Sequence, residues 1–298
     1  MINSPLSFKK TRIAPTPSGF LHLGNALSFA ITAALAKKTT AKTLLRIDDL
    51  DRERVDKAYV QDIFDTLHFL EITWDEGPNN LGEYETQFSQ LHRMDIYREA
   101  LQQLKDNGHV FACTCSRTQV LRDSPDGAYP GTCRDKALPL DTKNASWRLH
   151  TTAAKQLSVK TLEGTTIQAG LPPSMQEFVV RKRDGFPAYQ LTSVMDDLYY
   201  GVDLIVRGED LWPSTLAQLY LASLLGQDSF LNNTFYHHPL LEASPGEKLS
   251  KSAGATSIQH LRKQGKHTSD IYTLMAGMPG IEELPADILH AIKKYTRY

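Results

Sequence analysis

A turn that contains proline and glycine, at residues 15–24, separates a short apolar strand from a helix. The strand is predicted at Lys10–Ala14, and Asn25–Lys37 carries apolar residues at helical spacing. A second strand, Thr43–Ile47, and a second helix, Ala58–Leu70, repeat this order. Alternating strands and helices are typical of a parallel sheet covered by helices. The sequence therefore predicts an α/β fold with a doubly wound parallel sheet, and such folds bind nucleotides at strand-to-helix turns.

The balance of charge excludes a protein that binds nucleic acid over its whole surface. The 298 residues include 33 Lys and Arg against 34 Asp and Glu, which gives a net charge of −1. Because affinity for phosphates depends on where the cations lie, any contact with nucleic acid has to come from a local patch. Hydrophobic residues make up 41% of the chain, which excludes the disordered and coiled-coil classes.

The segment from Ile13 to Ala36 contains no Asp, Glu, Lys or Arg and superficially resembles a signal peptide. Pro15, Pro17 and Gly19 interrupt it, and these breaks exclude a continuous apolar helix. We therefore expect a soluble cytoplasmic protein without a membrane partner. A monomer is the default expectation, because nothing in the sequence indicates an oligomer.

The character of the sequence changes between about residues 108 and 175. This region contains all three cysteines and a loop rich in proline and glycine at 124–131, and we interpret it as an α+β insertion. The predicted domains are a first half of the nucleotide-binding domain at 1–107, the insertion at 108–175, a second half at 176–256 and a C-terminal helical segment at 257–298. Elements predicted in the second half are strands at Phe178–Arg181, Ala188–Leu191, Val202–Arg207 and Phe235–Leu241, and a helix at Pro213–Leu225.

The first motif with chemical content runs from Arg12 to Asn25. Small residues in the turn let the backbone approach a ligand closely, and Gly24 leaves room for a nucleotide. His22, just before the helix, can donate a hydrogen bond to a phosphate, to which the positive end of the helix dipole adds. The structural alternative is an ordinary turn with a surface histidine.

The second motif is Glu247-Lys-Leu-Ser-Lys-Ser252. Lys248 and Lys251 flank a small hydroxyl residue in a loop bounded by glycines. Such a loop can neutralise the charge that develops on pyrophosphate as it leaves a triphosphate. The structural alternative is a solvated basic loop.

Together, and in this order, the two motifs resemble the "HIGH" and "KMSKS" signatures of the class I aminoacyl-tRNA synthetases. His22 and Lys251 match these signatures, and Asn25 stands where the archetype has its second histidine. The resemblance implies a Rossmann-like catalytic domain that binds ATP with Mg²⁺ and catalyses through His22, Lys248 and Lys251. The ATP-binding residues that it implies are His22, Gly24, Asn25, Lys248, Leu249, Ser250 and Lys251.

Three further segments, 45–51, 188–197 and 206–210, are similar to the glutamate-specific branch of that family. Arg207 can pair with the side-chain carboxylate of glutamate, Asp48 can hold the α-ammonium group, and the Tyr189 hydroxyl can complete the fit. The glutamate-binding residues implied by the resemblance are Arg12, Ile13, Ala14, Pro15, Thr16, Asp48, Tyr189 and Arg207.

Asp48 stands where the family usually has glutamate, and aspartate is shorter by one methylene group. Contact with the ammonium group therefore requires either a backbone shift of about 1 Å or a bridging water. A structural alternative exists for the same segment, in which Arg46, Asp49 and Asp51 form an ion-pair cluster at the end of a strand.

The cysteines form a third constellation. Cys113 and Cys115 are two positions apart, and Cys133 follows 18 residues later, which suits a structural Zn²⁺ site in a small insertion. Tyr129, His109 and Asp126 are candidates for the fourth ligand. The resemblance favours Tyr129, because a short branch of the family has Cys-x-Cys and Tyr-x-x-x-Cys at this place. The alternative is three buried, unreactive cysteines.

The length of the chain favours the same short branch. Only the residues from 253 to 298 follow the lysine-containing motif, and we expect no anticodon-binding domain there. The resemblance to this branch implies glutamate, ATP and queuosine-containing tRNA(Asp) as partners, with glutamate transferred to the queuosine. The alternatives are a catalytic domain that charges the 3′ end of a tRNA, a small-molecule nucleotidylyltransferase and an inactive zinc-held RNA-binding paralogue.

Overall fold

The computed structural model describes residues 6–244, 247–248 and 257–294, and they divide into two compact units. The first unit contains the residues up to 92, 202–210 and those from 236 onward, and the second contains 93–201 and 211–235. The domain boundaries expected from the sequence remain a prediction. In the part of the chain described, no helix is both long enough and apolar enough to cross a membrane.

The first unit begins with the strand–helix–strand order that the sequence predicts. Strand β1 (Lys10–Ile13) pairs in parallel with β2 (Lys42–Leu45), and α1 (Leu23–Thr39) connects them. Both strands are almost wholly buried, as expected for a parallel sheet. The buried core side chains of these three elements include Ile13, Leu27, Ile31, Leu35, Leu44 and Leu45.

The strand that carries Arg207 lies beside β1. Strand β8 (Leu204–Gly208) follows Asp203, whose backbone N–H donates to the Lys10 carbonyl at 3.1 Å. The Asp203 carboxylate in turn accepts the backbone N–H groups of Lys9 and Lys10 at 2.9–3.0 Å. These bonds fix β8 against β1, although the two segments are almost 200 residues apart in the chain.

The first unit contains further helices and strands beyond this sheet. Strand β10 (Glu242–Ser244) pairs antiparallel with β11 (Glu247–Lys248). The bounds of these elements are α2 (Lys57–Phe69), α3 (Leu81–Glu83), β10 (Glu242–Ser244), β11 (Glu247–Lys248), α9 (Ile258–Lys263), α10 (Thr268–Ala276) and α11 (Ala286–Lys293).

The second unit contains the cysteine region. A three-stranded antiparallel sheet has the order β3–β4–β7, and β5 pairs with β6 in a hairpin. The bounds are α4 (Met94–Asp106), β3 (Val110–Cys113), α5 (Arg117–Asp123), β4 (Ser146–Leu149), β5 (Gln156–Thr161), β6 (Thr166–Gly170), β7 (Val179–Arg181), α6 (Tyr189–Tyr200), α7 (Trp212–Leu224) and α8 (Asp228–Leu231). Strand β9 (Thr234–His238) begins in this unit and ends in the first.

One element predicted from the sequence is wrong. Ala188–Leu191 is not a strand, because Ala188 is the N-cap of α6 and the helix begins at Tyr189. The four-residue apolar run was too short to distinguish a strand from a buried first helical turn. The helix buries Leu191 and Val194 at helical spacing.

Candidate active site and candidate metal centre

The turn around His22 has a compact, specific geometry. His22 is the N-cap of α1, and its backbone N–H donates to Oδ1 of Asn25 at 3.1 Å. Asn25 thus has a local structural role in this chain as a capping residue of the first helical turn. A Cβ atom at Gly24 would lie 3.1 Å from Cε1 of His22. The absence of a side chain at Gly24 therefore leaves space for the imidazole ring.

The backbone next to His22 pairs with a segment from the far end of the chain. His22 forms an isolated antiparallel bridge with Ser257, and the N–H of Ile258 donates to the Leu21 carbonyl at 2.7 Å. Lys248, at the end of β11, is the last described residue before Ser257. Leu249, Ser250 and Lys251, predicted to bind ATP, lie outside the described residues. Ser257, the next residue that the structure describes, pairs with the turn that carries His22.

Six of the residues predicted for glutamate binding, Arg12 to Thr16 and Asp48, lie on two adjacent segments at the ends of β1 and β2. Beyond β1, the N–H of Arg46 donates to the Ile13 carbonyl and the N–H of Asp48 to the Pro15 carbonyl, both at 2.9 Å. The segment from Arg12 to Thr16 therefore runs beside the segment that carries Asp48. Arg12, Ile13 and Pro15 are buried, Ala14 is partly buried and Thr16 is exposed.

Asp48 forms a bidentate ion pair within its own segment. Nε and Nη2 of Arg46 donate to Oδ1 and Oδ2 of Asp48 at 2.7 and 3.1 Å, and both side chains are buried. A paired carboxylate keeps further lone pairs with which it can accept an ammonium group. The pair fixes the carboxylate, so any adjustment for the missing methylene has to come from the ligand side.

Asp49 and Asp51 have local structural partners. The completely buried Asp49 accepts hydrogen bonds from Tyr84 Oη at 2.7 Å, Ser89 Oγ at 2.6 Å and Arg52 Nη1 at 2.8 Å. Asp51 pairs with Arg54 on the surface. Asp49 thus anchors the loop after the strand end, as the structural alternative for this residue anticipated.

Two buried arginines concentrate positive charge at the ends of β1 and β8. Arg12 is 5% exposed and donates from Nη1 to the Val206 carbonyl at 3.1 Å, and Arg207 is 3% exposed. Burial and then the positive charge of Arg207 lower the pKa of His237 to about 3. Because guanidinium groups stay protonated, both side chains bring a positive charge to this part of the first unit.

Tyr189 belongs to the second unit, at the start of α6, and is 41% exposed. The residue after it is anchored in a buried polar cluster. Gln190 Nε2 donates to Ser214 Oγ at 3.0 Å, and Gln218 Nε2 donates to Gln190 Oε1 at 3.1 Å. The cluster fixes the first turn of α6, so the outward direction of Tyr189 is determined by buried contacts.

The three cysteines converge in the second unit. The ligand atoms of Cys113, Cys115 and Cys133 all lie within 4.8 Å of one another, and the sulfurs of Cys115 and Cys133 are 3.6 Å apart. A tetrahedral Zn²⁺ with bonds of about 2.3 Å requires sulfurs separated by about 3.8 Å. The spacing of the thiols therefore fits a zinc ion.

Tyr129 brings an oxygen atom next to the three thiols. Its Oη lies 3.2 Å from Sγ of Cys113 and accepts the backbone N–H of Cys133 at 2.8 Å. Among the described residues, no His, Asp or Glu ligand atom joins the three thiols, so the geometry favours Tyr129 over His109 and Asp126. The carboxylate of Asp126 accepts instead from Ser124 Oγ at 2.6 Å.

Hydrogen bonding prepares one thiol of the cluster for metal binding. Burial raises the pKa of Cys115 and that of the Tyr129 phenol. Burial would raise the pKa of Cys133 as well, but hydrogen bonds, led by that of the Thr114 backbone, outweigh it and lower the pKa to about 7. Thiolates are the form of cysteine that binds metals.

The buried Glu177 contacts two arginines next to the cysteine cluster. The guanidinium carbon of Arg148 lies 3.8 Å from the centroid of the Tyr129 ring, and Nη1 of Arg148 donates to the Glu177 carbonyl at 2.8 Å. The carboxylate of Glu177 pairs with Arg134, the residue after Cys133. Glu177 is 1% exposed and has a left-handed backbone (φ 50°), which is uncommon for a residue other than glycine.

Sequence reasoning missed several of these residues. Glu177, Asp62 and Arg262 make long-range ion pairs that no local pattern indicates. The adjacent His237 and His238 lie on strand β9, ahead of the lysine-containing motif in the chain. Their position in the sequence could have identified them as candidate site residues. Both histidines have pKa values lowered by burial.

The sequence matches the model of the family "tRNA synthetases class I (E and Q), catalytic domain" over residues 9–281. A glutamyl-Q tRNA(Asp) synthetase from Symbiobacterium thermophilum is 34% identical over 93% of this chain and 88% of its own length. Glutamate–tRNA ligase 2 from Syntrophus aciditrophicus is 32% identical over 86% of this chain, but the match spans only 54% of that ligase.

The fold is also found in a solved structure. The glutamate–tRNA synthetase of Elizabethkingia anophelis superposes with a TM-score of 0.74 and 20% sequence identity. The superposition covers 98% of this chain and 66% of the other. At this level of identity, the likeness establishes the fold alone, an α/β class I catalytic domain.

Proposed function

Because this chain belongs to the class I tRNA synthetases for glutamate and glutamine, we propose that it activates L-glutamate with ATP and transfers it to queuosine in tRNA(Asp). The observation that carries the proposal is the relative named glutamyl-Q tRNA(Asp) synthetase, with which this chain shares 34% identity over 88% of the relative's length. The match to a glutamate–tRNA ligase covers much less of that protein.

In the first step, the α-carboxylate of glutamate attacks the α-phosphate of ATP in line. A bond forms between carboxylate oxygen and phosphorus, the bond to the bridging oxygen breaks, and pyrophosphate leaves with its electron pair. His22 and the lysines of the 247–252 motif stabilise the charge that develops, and no side chain acts as a nucleophile. The pairing of His22 with Ser257 supports this role, because Ser257 follows Lys251 by six positions in the chain.

The buried cations suit recognition of glutamate. Arg207 pairs with the side-chain carboxylate and Arg12 adds to the positive potential, while Asp48, held by Arg46, accepts the α-ammonium group. Glutamine lacks the negative charge that two buried guanidinium groups favour. We therefore expect strong discrimination between the two amino acids.

Two metal ions have places in this proposal. Mg²⁺ accompanies the triphosphate as part of the co-substrate. Zn²⁺, which supplies a structural cross-link when it is bound, would be held by Cys113, Cys115, Tyr129 and Cys133. The separation of the sulfurs supports this assignment, and the site has no role in the chemical steps.

In the second step, a hydroxyl group of the queuosine cyclopentene ring attacks the carbonyl carbon of the glutamyl-adenylate. An ester bond forms, the proton of the hydroxyl leaves, and AMP departs. Cytoplasmic location and a monomeric state belong to the same proposal.

The test is to incubate the protein with ATP, radiolabelled glutamate and tRNA that either contains or lacks queuosine. We expect label only in the queuosine-containing tRNA(Asp), within the anticodon fragment after nuclease digestion. Label at the 3′ end of tRNA(Glu) would instead establish a glutamate–tRNA ligase, the second candidate that the Syntrophus relative supports. Absence of glutamate-dependent ATP–pyrophosphate exchange, both with and without tRNA, would overturn both.

A further inference from the structure

A buried carboxylate lies where the first signature meets the segment after the second. Asp62, on α2, is 2% exposed. Its Oδ2 accepts the backbone N–H of Leu21 at 3.2 Å, and its Oδ1 accepts Nη2 of Arg262 at 2.6 Å. One side chain therefore joins the residue before His22 to helix α9.

Backbone pairing reinforces this joint. Helix α9 begins at Ile258, whose N–H donates to the Leu21 carbonyl at 2.7 Å. Leu21 is thus held through both its N–H and its carbonyl, by Asp62 and by the start of α9. The neighbouring bridge from His22 to Ser257 continues the same contact.

Arg262 reaches Asp62 along the surface of α2. Its guanidinium carbon lies 5.9 Å from the centroid of the Phe69 ring, and Nη1 is 3.9 Å from the Asp65 carboxylate. The contact with Asp62 is closer, and only that carboxylate is buried. Asp65 therefore offers a matched position on the same helix, with a similar charge but without a contact to Leu21.

The ion pair between Asp62 and Arg262 removes a carboxylate from water, which costs free energy. Burial raises the pKa of Asp62 even though the Leu21 hydrogen bond and the charge of Arg262 oppose that shift. Apolar residues of similar size often stabilise such a place as well as or better than the ion pair. A directional contact in this place therefore indicates a requirement for geometry in addition to stability.

We propose that Asp62 is a positioning residue for adenylate formation, which fixes Leu21 and Arg262 so that His22 and Ser257 keep one relative placement. This role rests on the proposed glutamate-activating function. Asp62 does not touch the reacting atoms. It acts through the backbone of Leu21 and through α9.

The experiment compares Asp62→Asn, Arg262→Met and the apolar pair Asp62→Leu/Arg262→Met with Asp65→Asn as the matched control. Glutamate-dependent ATP–pyrophosphate exchange is measured over ranges of ATP and glutamate, with the thermal unfolding midpoint of every variant. Misplacement of about 1 Å is enough to lower rates by about a hundredfold. We expect kcat/KM for ATP to fall at least about tenfold in the first three variants, with the KM for glutamate within about twofold of wild type.

The apolar pair separates positioning from stability. We expect it to unfold near the wild-type temperature and still lose exchange activity, whereas Asp65→Asn retains it. Full activity of the apolar pair, or an equal loss in Asp65→Asn, would overturn the role of Asp62. A wild-type protein without exchange activity would overturn the proposed function, and the role of Asp62 with it.

Discussion

Arg46 holds both carboxylate oxygens of Asp48, at 2.7 and 3.1 Å, in a pair that is almost completely buried. The pair lies beside the Ile13–Pro15 backbone, so the fixed carboxylate borders the segment proposed to bind glutamate. The aspartate at position 48, which is shorter than the glutamate usual in the family, is therefore held by a bidentate ion pair.

Asp48→Asn should raise the KM for glutamate about tenfold or more, because a hydrogen bond to a charged group contributes about 1.5–3 kcal/mol. The KM for ATP should change little. Amino-acid-dependent exchange measures both constants, and Asp51→Asn on the neighbouring surface pair is the control. An unchanged KM for glutamate in a folded Asp48→Asn protein would contradict a contact with the substrate.

Arg207→Gln should remove most of the preference for glutamate over glutamine. Loss of one buried charge-assisted pair corresponds to about 3 kcal/mol, or about a hundredfold in kcat/KM for glutamate. The comparison is exchange with each amino acid, with Arg54→Gln on the surface as the control. A loss that is equal for both amino acids would show that Arg207 does not read the side chain.

Gly24→Ala should lower exchange activity about tenfold, since the new methyl group would meet the His22 ring at 3.1 Å and displace it. Gly19→Ala is the matched control in the same turn, because no heavy atom lies within 4 Å of a Cβ there. Equal activity of the two variants would mean that the position of the imidazole is not critical.

Arg148→Met should weaken zinc binding about 10- to 100-fold, because residues that orient a metal ligand contribute on that scale. Arg148 lies against the Tyr129 ring and is held by the Glu177 carbonyl. Competition with a chromophoric chelator measures the affinity, and Arg122→Met is the surface control. Wild-type affinity in the Arg148 variant would show that Tyr129 needs no such support.

His237→Gln should make stability less sensitive to acid. The pKa of this histidine is about 3 in the folded chain against 6.5 ordinarily, so below pH 6.5 the unfolded chain takes up a proton that the folded chain excludes. Its contribution to stability is therefore present above pH 6.5 and is lost as the pH falls toward 3. Urea unfolding between pH 7 and 5 should give a shallower slope for His237→Gln, and an unaltered one for exposed His290→Gln.

Much of the fold could be predicted from periodicity alone. The first two strands and helices fall close to their predicted ranges, because burial of one face leaves a regular pattern in the sequence. The strand predicted at Ala188–Leu191 is wrong, because a short apolar run fits the first turn of a buried helix as well as a strand. The seven residues of α6 that are buried include polar ones, which weakens the periodic signal.

The chemistry of the candidate site was also largely present in the sequence. His22 and the cysteines were identified because their types and spacing suit phosphate and zinc, and Arg207 was identified through the resemblance to the glutamate-specific branch. The residues alone left Tyr129, His109 and Asp126 open as the fourth ligand, and only the family resemblance favoured Tyr129. Distances between ligand atoms depend on how the loop at 124–131 folds back. In the folded chain, Tyr129 Oη lies 3.2 Å from the sulfur of Cys113.

The sequence by itself determined which groups this protein can use, since residue types and short spacings are properties of the chain. Tertiary structure alone decided which of them meet. Asp62 and Arg262 are 200 positions apart, and Arg134 and Glu177 are 43 apart, yet each pair forms an ion pair through a buried carboxylate. Such contacts depend on the packing of whole helices and strands against one another, and the local periodicity of the sequence does not predict that packing.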